Sequence, residues 1–178
     1  LRPTELSICS VTRAMGGVVV LANDNNYDSL SLYFWQDGMT EMRKLGGGFY
    51  WVMSSDTMET AQESCEYAMS RVPNYRMPDL THAISNLTSD GETLYALNRI
   101  NGLIFKISET KDGLQTEDVC TMANLSCLNI SYRDLETGKV YTYPASLTRM
   151  HVCGSVLAIS VMQENGIKVV LVGEELGL

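Results

Sequence analysis

GVVVLANDNNYDSLSLYFW, residues 17–35, is a glycine, an apolar run, a polar turn and a second apolar run. Val18 to Ala22 is continuous enough for a strand buried on both faces, whereas residues 30–35 alternate. Leu30, Leu32 and Phe34 fall on one side of the second strand, Tyr33 and Trp35 on the other. The same pattern returns as GETLYALNRINGLIFKI at 91–107 and GSVLAISVMQENGIKVVLV at 154–172. Each stretch reads as a β-hairpin, so strand pairing rather than helix packing organises the chain.

Working outward, residues 6–12 (LSICSVT) alternate as a strand. Asp37-Gly38 is a hairpin turn leading to a strand over 39–45; Gly46 to Gly48 break the chain before a short aromatic strand at 49–53. Residues 56–72 (DTMETAQESCEYAMSRV) form the one long helix, with Met58, Ala61, Cys65, Ala68, Met69 and Val72 at helical spacing. Asp56 or Thr57 caps it, Glu59 completes a capping box with Asp56, and Pro73 ends it. Asp79 opens a second, short helix over 79–87. Further strands are expected at 114–122, 125–132 and 139–143, with a loop or helical turn over 144–149. The fold expected is a single β-rich α+β domain over 1–178, antiparallel hairpin sheets packed with these two helices. The alternative is a β-propeller or a fragment of one. Residues 84–119 resemble a propeller blade, four strands joined by SDG, NG and DG turns, but the repeats at Gly17, Gly91 and Gly154 are more widely spaced than blades of about 40–50 residues.

The chain has 178 residues, is 45% hydrophobic and carries a formal charge of −8. It begins at Leu1 rather than Met, which suggests a processed or excised product. No block of Lys or Arg supplies the basic face that nucleic acid requires, and no apolar run reaches the length of a membrane span. Cysteines stand at 9, 65, 120, 127 and 153 without a C-x-x-C pair, and with only two histidines a structural zinc site is not expected. No cofactor motif is present.

Four features bear on function. Tyr33 with Trp35, and Phe49 with Trp51, lie two apart on strands, so each pair shares a face and is a candidate platform for a protein or glycan partner. Asp24, Asn26 and Asp28 alternate as oxygen ligands do in calcium loops, although Asn and Asp also serve simply as turn residues. Residues 57–87 resemble the first helical region of bacterial C-type-lectin-like domains. The match is Thr57, Ala61 and Cys65 at intervals of four, then Tyr75-Arg76-Met77-Pro78 in place of an aromatic-Arg-Leu-Pro run that opens a second helix. That resemblance implies a disulfide from Cys65, with Cys120 as its partner; the family's later tryptophan-rich portion is missing. Cys9, on a strand followed by NNYD, faintly resembles the opening of N-terminal-nucleophile amidohydrolases, yet eight residues precede it, where that mechanism needs a free amine on the nucleophile itself. The leading expectation is a non-catalytic recognition or assembly module binding a protein or glycan. The alternatives are a cysteine-dependent hydrolase or amidotransferase-like enzyme, drawing on Cys65 and on His82 or His151, and a structural subunit of a larger assembly.

Overall fold

A computed structural model describes residues 7–23, 29–52, 56–121, 129–144, 147–153, 156–163 and 166–172. The first sheet is a four-stranded antiparallel meander, β1 (Ser7–Ala14), β2 (Gly17–Asn23), β3 (Ser29–Trp35) and β4 (Arg43–Tyr50). Helix α1 (Met58–Arg71) and a 3-10 turn at Leu80–His82 follow. The second sheet repeats the meander as β5 (Asn86–Ser89), β6 (Leu94–Asn98), β7 (Leu103–Thr110) and β8 (Gly113–Thr121). A separate hairpin pairs β9 (Asn129–Arg133) with β10 (Val140–Pro144), and β11 (Leu147–Cys153), β12 (Val156–Gln163) and β13 (Gly166–Val172) make a third antiparallel sheet. All three hairpins read from sequence are present, and 84–119 is a meander strand for strand.

The main core lies between the first two sheets. Val19, Leu21, Leu30, Leu32 and Phe34 face Leu87, Leu94, Ala96, Phe105 and Ile107 across it. Face-to-face burial of aliphatic and aromatic groups is what holds such layers. β5, the first strand of its sheet, runs beside β1 and beside β11, the first strands of the other two sheets, without pairing with either. Asn86 Oδ1 accepts from the Met150 amide at 2.9 Å and Thr88 Oγ1 from the Val152 amide at 3.2 Å. Met15 N donates to Glu92 O at 3.1 Å, tying the β1–β2 turn to the second sheet.

The structure departs from the sequence reading in four places. Residues 43–50 form one strand, not two separated by glycines. Gly46 lies where a Cβ would stand 2.8 Å from Leu114 Cδ1, and at Gly47 one would meet Ser31 Oγ at 2.7 Å. Those glycines let β4 approach its neighbours, while Gly48 (φ +87°) and register shifts against β3 absorb the irregularity. The expected helix over 79–87 is only the Leu80–His82 turn. Asn98 Nδ2 takes the carbonyls of Leu80 and Thr81, and Ile84 N donates instead to Tyr50 O at 2.8 Å, so the chain passes directly into strand pairing. α1 is capped by Thr57 with Thr60, not by a Glu59 box, and buries only Ala61, Cys65 and Ala68, leaving Met58 and Met69 exposed. Finally, a strand rather than a loop begins at Leu147. Among the described residues no helix is long and apolar enough to cross a membrane.

Candidate functional site: the second face of the first sheet

Strand register assigns every side chain of the first sheet to a face, because directly paired residues point the same way. One face is the main core. The other reads in rows: Ile8, Ala22, Ser31, Gly47; then Val11, Val20, Tyr33, Lys44; then Arg13, Val18, Trp35. Its centre is covered, with Val20, Ala22 and Tyr33 forming a small cluster flanked by Val18 and Met42. Its margins are open: Ile8 is 47% exposed, Val11 57% and Trp35 37%. This is a face with an apolar centre and an accessible rim, where Ile8, Val11 and Trp35 share the margin with the exposed Arg13 and Lys44, and β1 is the edge that carries most of it.

Trp35 is held in place. Its Nε1 donates to Met39 O at 2.9 Å, and the same turn closes through Met39 N to Gln36 O at 3.1 Å. An indole anchored in this way loses little freedom when a partner covers it.

The four aromatics singled out from sequence do not come together. Tyr33 shares the face of Trp35, as alternation requires, but is buried. Phe49 is paired with Leu30 and sits on the opposite face, in the main core. Trp51 packs against that same core, and its backbone bridges Ile84. Trp35 is the one of the four with an exposed ring. Asp24, Asn26 and Asp28 lie outside the described residues. Among the described residues no group of three or more His, Cys, Asp or Glu is arranged to hold a metal.

A second constellation escaped sequence reading. His82 Nδ1 lies 2.6 Å from Asp79 Oδ2, and its Nε2 lies 2.7 Å from Asp118 Oδ1 on β8. The ring meets Phe105 edge-on at 4.9 Å. Burial pulls the imidazole down, but the two carboxylate hydrogen bonds outweigh it and raise the His82 pKa above its usual 6.5. Asp79 is opposed by burial in the same way, yet its bonds to His82 and Thr81 N lower it. The only sequence signal was Asp79 three residues before His82; Asp118 is 36 residues away.

Both ring nitrogens of His82 are thus engaged by carboxylates, leaving neither to serve a cysteine as general base. Cys9, Cys65 and Cys120 are thiols, so the Cys65–Cys120 disulfide implied by the lectin resemblance is not formed. Cys65 is fully buried, and at Cys9 desolvation raises the thiol pKa, the opposite of nucleophile activation. Tyr50 donates to Asp56 Oδ2 at 3.1 Å; burial first and the Asp56 charge second push its phenol well up.

No family model and no curated protein matches this chain. Among solved structures, a glutaminyl cyclase from Myxococcus xanthus is similar at 14% identity and a TM-score of 0.36, over 96% of this chain and 52% of that one. The chain spans about half the length of that protein. A likeness this loose carries no argument about fold or activity.

Proposed function

We propose that the chain is a non-catalytic recognition or assembly module that engages a protein partner through the second face of its first sheet. The observation that carries this reading is the apolar rim of Ile8, Val11 and the anchored Trp35 on one face. Sugar recognition uses broad aromatic platforms, whereas this rim is one indole beside the aliphatic Ile8 and Val11 and the cations Arg13 and Lys44; that composition favours a protein over a glycan. The arrangement of sheets supports a propeller-like reading as well. Two complete meanders and a three-stranded sheet bring their first strands together, with β5 beside both β1 and β11, an arrangement compatible with blades around an axis.

The test compares the wild type with a Val11→Asp/Trp35→Ala variant of unchanged circular dichroism. Proteins retained by the immobilised wild type and lost by the variant support the reading. An equal set retained by both overturns it, and selective binding to arrayed glycans by the wild type would replace the protein partner with a sugar. Light scattering of the same pair reports whether the partner is a second copy.

A further inference from the structure

We propose that His82 is a proton-operated latch that pins the connector between α1 and β5 to the second sheet, and that it releases Asp118 when it loses its proton. Asn98 and Asn101 hold the Leu80 and Thr81 carbonyls, whereas His82 reaches from the Leu80–His82 turn to β8 through its side-chain contact with Asp118.

The geometry defines the switch. With a carboxylate oxygen at hydrogen-bond distance from each ring nitrogen, both nitrogens must donate, which only the imidazolium does. Deprotonation sends one proton to solvent and leaves one N–H. Asp79 belongs to the same turn and also accepts from Thr81 N at 3.0 Å, so the Nδ1–H stays with it. Nε2 then presents a lone pair to Asp118 Oδ1, and that contact turns repulsive.

Asp79 from its own turn and Asp118 from β8 are the charged groups acting on the ring. β7 contributes the neutral Phe105 ring, with Lys106 and Glu117 one residue along and on the opposite face. β4 and α1, also packed against this turn, bring Tyr50 and Cys65, and Tyr50 keeps its proton throughout. The raised His82 contributes fully below its usual 6.5 and is lost as pH rises through its elevated value. The lowered Asp79 contributes above its usual 3.8 and is lost as pH falls through its depressed value. The latch is therefore closed in mildly acidic solution and opens on the alkaline side.

Two measurements test this on the full chain. In a magnetic-resonance titration, the imidazole of His82 should show a midpoint above 6.5 that falls in Asp118→Asn. Hydrogen exchange of the amides at 82 and 83, corrected for its intrinsic pH dependence, should quicken about three- to tenfold between about pH 5.5 and about pH 9. The same correction should leave His82→Gln flat. Protection that does not change with pH in the wild type, or an identical change in His82→Gln, overturns the latch. Should His82→Gln fail to fold, Asp118→Asn decides: wild-type acid protection in that variant overturns the proposal, and its loss supports it.

Discussion

β1 and β5 are the first strands of two sheets with the same topology, and they meet different fates. β5 has β1 on one side and β11 on the other, and both Leu87 and Thr88 are buried although their side chains point to opposite faces. β1 runs beside β5 but leaves Ile8 and Val11 open to solvent. Alternation of side chains is common to both strands; burial is decided by the neighbour each one has. The lesson is that a face is apolar because of sequence, and a site because of what the fold leaves uncovered.

The sharpest way to break this contrast is Phe105→Ala in the shared core. Phe105 is fully buried, and its loss should cost about 3–5 kcal/mol in urea unfolding. An effect below 1 kcal/mol would mean the two sheets are not packed as described. Next is Gly17→Ala at the start of β2, where a Cβ would lie 2.5 Å from Trp35 O and 2.7 Å from the Phe34 ring. Because backbone must move, about 1–3 kcal/mol is expected. Gly46→Ala should cost less, since its closest obstacle is the end of the Leu114 side chain.

Smaller again is Arg43, which pairs with Glu109 across the two sheets and lies 5.6 Å over the Phe34 ring. The pair is exposed, so a double-mutant cycle with Arg43→Ala and Glu109→Gln should return about 0.2–1 kcal/mol. The Arg43 hydrogen bond lowers the Glu109 carboxyl from its usual 4.5. The contribution is therefore present above that value and lost as pH falls through the depressed one. Last, Val11→Ser should change stability by less than about 0.5 kcal/mol while weakening partner capture. A core-sized loss there would place Val11 in a buried interface of the isolated protein.

Much of the strand order was legible because turns such as Asp37-Gly38 and Asn101-Gly102 carry their own backbone preferences. The Met15-Gly16 turn was not, since a methionine at φ 55° has no such signature. The expected helix at 79–87 had helical spacing in Leu80, Ala83, Ile84 and Leu87, but Asn98 and Tyr50 claim the backbone there. Local periodicity does not register a competitor elsewhere in the chain. The candidate face was half legible: alternation put Tyr33 and Trp35 together, and only tertiary contacts buried one and exposed the other. The His82 clamp needed β8 and the connector to meet, which nothing in the residues around His82 announces.

Asn86 and Thr88 give the contact of β5 with β11 a consequence beyond attachment. They stand two residues apart and take the amides of Met150 and Val152, also two apart. Side chains that alternate along one strand thus count off the backbone of another, like teeth on a rack. A slip of β11 by one residue would offer neither oxygen an amide and would turn Met150, now fully buried, to the other face of its sheet. The second sheet therefore sets the phase of the third without sharing a single ladder with it.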